Sequence, residues 1–163
     1  MTGAGVQSHD DVQRLRSKGD ALRRSDRVEE ANAEYARALD LVRARLREAE
    51  TAGNPAERAN LLGMQGGLHR RLGDSAAALA SYRLGADLET ENDLASTYNR
   101  TNALKLELIT DDPAPKRLAQ LTPDLLKLRG VLARGTTTDP QVTDDAWSWA
   151  DLGDVHAATD VRG

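Results

Sequence analysis

The 163-residue chain contains no cysteine and no phenylalanine, and only two tryptophans, three tyrosines and five prolines. Without cysteine there is no disulfide framework, no thiolate metal site and no thiol nucleophile. No stretch approaches the about eighteen consecutive apolar residues of a membrane-spanning helix, so no membrane association is expected. The opening MTGAGVQSHDD lacks the basic-then-apolar order of a secretory leader, so a cytoplasmic location is the expectation. Runs of alternating β-branched and aromatic residues between turn dipeptides, the usual strand signal, are missing. The net charge of −4 is small but uneven, with six aspartates against the single Arg162 over residues 139–163. A chain without a basic surface and with few aromatic stacking platforms is not built for nucleic acid.

Helix signals run through the chain instead. From Val28 to Ala49 the residues Val28, Ala31, Tyr35, Ala38, Val42, Leu46 and Ala49 step by three or four, which places them on one face of a long helix that needs a partner. Punctuation predicts about seven helices. The first two are expected over Ser8 to Arg24 and Asp26 to Thr51. Asn54-Pro55, a capping residue followed by proline, opens a third that runs to Leu72. Gly73-Asp74 turns into a fourth ending near Glu89, and a fifth spans Asn92 to Ile109 up to the breaker Asp111-Asp112-Pro113-Ala114-Pro115. The sixth lies between Lys116 and Arg134, restarted or kinked at Thr122-Pro123. After a polar loop over Gly135 to Pro140, a seventh starts near Thr143 and carries Trp147 and Trp149.

The chain also repeats itself. Gly19, Ala31, Tyr35 and Ala38 align with Gly66, Ala78, Tyr82 and Gly85, with glycine and alanine twelve residues apart and alanine and tyrosine four apart in both copies. Leu15, Lys18 and Leu22 precede or follow the first glycine as Leu62, Gln65 and His69 do the second. Trp149, Leu152, Gly153 and His156 fill the same slots near the end, and Tyr98, Thr101 and Asn102 make a weaker third copy. A small residue where two helices cross lets the backbones approach while the aromatic ring fills the space beside the contact. This pattern resembles the tetratricopeptide repeat family, in degenerate form, since the glycine slots are 47, 36 and 51 residues apart (Gly19, Gly66, Asn102, Gly153) rather than the regular 34.

The resemblance implies an all-α fold, a right-handed superhelical stack of antiparallel helix pairs. The pairs fall at about 8–52, 55–90 and 92–134, with a terminal helix at 143–158, all in a single domain over 8–158 between flexible ends at 1–7 and 159–163. It further implies a concave groove lined by the first helix of each pair. The candidate contacts there are Arg16, Asp20, Arg23 and Arg24, then Asn60, Arg70 and Arg71, then Asn99 and Arg100. That set is mildly basic, so the expected partner is a protein or peptide segment, acidic in character, held by arginine to carboxylate. Trp147 and Trp149 are interface candidates. The helix that carries them is expected either to cap the stack or to complete it in a homodimer, leaving monomer and dimer open, and the acidic C-terminal segment is a further candidate occupant of the groove.

Catalytic and metal chemistry find little support. His69 and His156 occupy equivalent aromatic slots, which favours packing over metal ligation, and His9 stands in an acidic first helical turn. The carboxylate pairs Glu29-Glu30, Asp111-Asp112 and Asp144-Asp145 sit near helix starts, where the dipole welcomes negative charge. Gly63-Met64-Gln65-Gly66-Gly67 follows no strand and reads as close helix packing rather than a phosphate loop. No cofactor and no enzymatic activity are expected. The leading functional expectation is an interaction scaffold or adaptor. The alternative is a regulatory domain whose groove senses a small molecule or short peptide.

Overall fold

The computed structural model describes residues 3–110, 123–127 and 129–130. Every regular element among them is helical: α1 (Gly3–Arg24), α2 (Val28–Thr51), α3 (Pro55–Arg71), α4 (Ser75–Glu91) and α5 (Tyr98–Thr110), with further helical residues at 123–127 and 129–130. The all-α expectation holds for these residues. The helix expected at 143–158, the breaker at 111–115 and both tryptophans lie outside the described residues. No described helix is long and apolar enough to cross a membrane.

Helix ends depart from expectation for physical reasons. α1 starts at Gly3, five residues before Ser8, because a nucleated helix gains a backbone hydrogen bond for each residue it adds, even through glycine. α2 starts at Val28 and not at Asp26, since Asp26 has φ 59° and cannot continue a right-handed helix. α5 starts at Tyr98, six residues later than expected. Asn92 closes α4, Asp93 is left-handed at φ 49°, and the Leu94 N–H turns back to the Glu89 carbonyl at 2.9 Å.

One closure serves all four turns from α1 to the segment after α4. A left-handed residue stands at the centre of each: Asp26, Gly53, Gly73 and Asp93. Its N–H returns to the carbonyl three residues back, and the next N–H returns five residues back, as in Arg27 to Leu22, Asn54 to Ala49, Asp74 to His69 and Leu94 to Glu89. This is the Schellman motif. In two turns the closing residue also opens the next helix: Asn54 accepts from the Glu57 N–H at 3.1 Å, and Asp74 from the Ala77 N–H at 2.9 Å. Arg27 stands in the same place before α2 but makes no side-chain cap.

The chain divides into two compact units, Met1–Leu94 and Ala95–Gly163. In the first, α1 packs on α2, α2 on α3 and α3 on α4, and the three-residue connections make neighbours antiparallel. The predicted apolar face of α2 is the centre of its core: Ala31, Tyr35, Ala38, Val42 and Ala49 are buried with Val12 of α1 and Leu61 and Leu68 of α3. The repeat pattern becomes geometry here. A Cβ on Gly19 would lie 2.4 Å from Cε1 of Tyr35, and a Cβ on Gly66 would lie 2.7 Å from Cε1 of Tyr82. Each tyrosine ring therefore rests on the bare backbone of its own pair's first helix, and each follows its glycine by sixteen residues (35 − 19 and 82 − 66). The pairs differ in length: α2 has 24 residues and α4 has 17.

In the second unit, Ala103 and Leu106 of α5 are buried, as is Leu125. Asn99, Thr101 and Asn102 are buried polar residues, and Asn102 Nδ2 donates to the Tyr98 carbonyl at 2.9 Å. Tyr98, expected as the large packing residue of the weak third copy, is instead half exposed at the first position of α5.

Candidate functional site

Basic residues crowd the last turns of α1 (Arg23, Arg24) and α3 (His69, Arg70, Arg71), where a cation complements the negative end of the helix dipole. These two ends meet. Arg71 Nε donates to Asp20 Oδ1 at 2.8 Å and its Nη2 to Oδ2 at 3.3 Å, a two-point contact between α3 and α1. Tyr35 Oη donates to Asp20 Oδ1 at 2.8 Å, and Arg71 Nη1 donates to the Gly67 carbonyl at 3.2 Å. Arg23 Nη1 in turn donates to the Arg71 carbonyl. A single carboxylate thus ties together α1, α2 and α3.

Burial raises the Asp20 pKa, but the hydrogen bonds from Arg71 and Tyr35, with the charges of Arg71 and Arg16, outweigh it and leave the carboxyl below its ordinary value. Burial, then the bond to Asp20, raises the Tyr35 hydroxyl, which stays protonated as the donor. A second ion pair joins α1 to α2: Lys18 Nζ donates to Glu34 Oε1 at 2.8 Å, with Arg37 Nη1 at 3.4 Å. The Lys18 bond leads in lowering the Glu34 pKa against its burial.

The structure therefore places Arg16, Asp20, Arg23 and Arg24 toward the C-terminal end of α1 and Arg70 and Arg71 at that of α3, the two ends being joined by the Asp20 and Arg71 pair. It uses three of the expected ligand contacts, Asp20, Arg23 and Arg71, on one another. Arg24 and Arg70 are exposed and Arg16 is half-buried. Asn60 is exposed near the opposite end of α3, about 15 Å along the axis from Arg70. Asn99 and Arg100 belong to the second unit, where Asn99 is buried and Arg100 Nη2 donates to the Ser96 carbonyl at 3.4 Å. His69 packs half-buried, as its aromatic slot implies, with Nδ1 4.0 Å from Asp74 Oδ2. Burial lowers its pKa, only partly offset by Asp74. Among the described residues no group of His, Asp and Glu is arranged to hold a metal ion.

One feature has no counterpart in the sequence reading. At the other end of the first unit, a cleft of about 370 Å³ opens between the C-terminal turns of α2 and α4 and the N-terminal turns of α3. Leu46, Leu62, Leu84 and Leu88 line it. Its rim carries Glu50, Asp87 and Glu91 against Arg58, which pairs with Glu50 at 3.5 Å. The last turns of α2 and α4 contain no basic residue, opposite in sign to those of α1 and α3. Only the excess length of α2 over α4 hints at this cleft in the sequence.

Compared with known proteins, the chain matches no family model, no curated protein and no solved structure.

Proposed function

We propose that this protein is a non-enzymatic interaction module whose helix pairs stack in tetratricopeptide fashion into a right-handed superhelix, and which binds an acidic peptide or protein segment on the face built by α1 and α3. The observation that carries this reading is the Asp20 clasp. It spends one carboxylate on fixing the relative position of two helix ends and leaves Arg16 and Arg24, on the same stretch of α1, as a preset basic surface. Arginines held by packed helices recognise carboxylates at low ordering cost. The duplicated glycine and tyrosine contact supports the stacking, since each pair then presents its first helix in the same way.

A fluorescein-labelled octaglutamate peptide with a free carboxylate end tests the reading by anisotropy. Saturable binding that weakens at least about fivefold in the Arg16→Ala, Arg24→Ala double variant, and falls with added salt, is expected. Equal binding of octalysine, or unchanged affinity in the double variant, overturns it.

A further inference from the structure

We infer that the cleft between α2, α3 and α4 is a second docking site, for a basic amphipathic helix of another protein. This inference does not depend on the α1 and α3 face. The cleft joins two features that local stability does not call for. Leu84, which lines it, is 58% exposed, one of the few large apolar side chains so placed among the described residues. Around it, Asp87 and Glu91 on α4 and Glu50 on α2 stand in or beside the final turns of their helices, where the negative end of the dipole disfavours carboxylates.

The sign of the occupant follows from the rim. Three carboxylates face one guanidinium, Arg58, which is already paired with Glu50, and the negative dipole ends of α2 and α4 add to the same potential. Lysine or arginine satisfies that rim and a carboxylate does not. The four leucines give room for a few apolar side chains rather than a broad flat surface. Two or three apolar residues on one face of a helix, flanked by basic residues, match both parts. The basic ends of α1 and α3 lie at the opposite end of the unit, so the two sites take ligands of opposite charge.

The experiment uses the full chain and a fluorescein-labelled peptide that forms an amphipathic helix with leucine on one face and lysine on the other. The matched leucine and glutamate helix serves as control, and both are read by anisotropy. One-to-one saturable binding of the lysine helix is expected, at least tenfold tighter than the glutamate helix. It should be at least tenfold weaker in Asp87→Lys, Glu91→Lys and in Leu84→Ser, and unchanged in Arg16→Ala, Arg24→Ala. Leu84, Asp87 and Glu91 are exposed, and far-ultraviolet circular dichroism of each variant checks that the helices remain. Equal binding by the two helices, or by wild type and the charge-reversed variant, overturns the site. If the protein alone sediments as a dimer that Asp87→Lys, Glu91→Lys dissolves, the occupant is a second copy and the inferred partner is wrong.

Discussion

Gly19 and Gly66 show what one missing methyl group does. Each faces a tyrosine ring closer than any Cβ tolerates, so Gly19→Ala and Gly66→Ala must push the ring or separate the helices. Overpacking of this kind costs about 1–3 kcal/mol, above the helix-propensity gain of about 1 kcal/mol from replacing glycine. Both variants should lower the urea midpoint, by similar amounts if the two pairs are built alike. Asp20 offers a test with a sign. Its folded pKa is depressed, so its contribution is present above the unfolded value and is lost as pH falls through the folded one. The clasp is about one-third exposed, which limits it to about 1 kcal/mol. Asp20→Asn should destabilise the protein at neutral pH, and the gap from wild type should shrink as urea melts are taken to acid pH.

His69 works in the same direction at higher pH. Burial depresses its pKa, so the unfolded chain binds the proton first. Stability is full above the unfolded value near 6.5 and declines as pH falls toward the folded one. His69→Gln should flatten that part of the stability profile. The glycine and tyrosine pairs and the packed slot of His69 were legible in the sequence because they repeat within it. The clasp was not, since Asp20 and Arg71 are 51 residues apart and share no local pattern.

At the scale of the element, the turns carry a correctable strain. Asp26 and Asp93 occupy left-handed positions that Gly53 and Gly73 fill in the other two turns. A left-handed backbone disfavours a residue with a Cβ by about 1–2 kcal/mol, aspartate less than most. Asp26→Gly and Asp93→Gly should each raise the unfolding free energy by up to about 1 kcal/mol. At Arg27 the deficiency is a missing cap. Arg27→Asn should stabilise α2 by about 1 kcal/mol, less the small value of the exposed pair with Glu30. Thermal melts of the three single variants check both. The caps at Asn54 and Asp74 were readable because glycine, asparagine and proline advertise them. α1 and α5 were misjudged at their starts, where propensity yields to cooperative extension in one and to a six-residue closure in the other.

For the whole molecule, the core names its own boundary. The cluster around Tyr35 and Leu61 draws only on α1, α2 and α3, all within Met1–Leu94. A chain ending at Leu94 should therefore retain a cooperative urea transition and a helical spectrum. A gradual, non-cooperative melt would show that the first unit depends on the rest. The acidic cleft escaped the sequence because its leucines come from three helices and its carboxylates look like any solvated face until the ends of α2 and α4 are set side by side.

Residues such as Asn54 and Asp74, which finish one helix and begin the next, leave the connections no slack. An extra residue in such a joint would detach the closing N–H from the capping side chain and lose both. Growth of this architecture is thereby restricted to helix interiors, and there to steps that return side chains to the same face. The seven residues by which α2 exceeds α4 are such a step, close to two full turns. Inserting or deleting seven residues should be tolerated where one is not, so the length of a helix is the quantity this fold can vary while its joints stay constant.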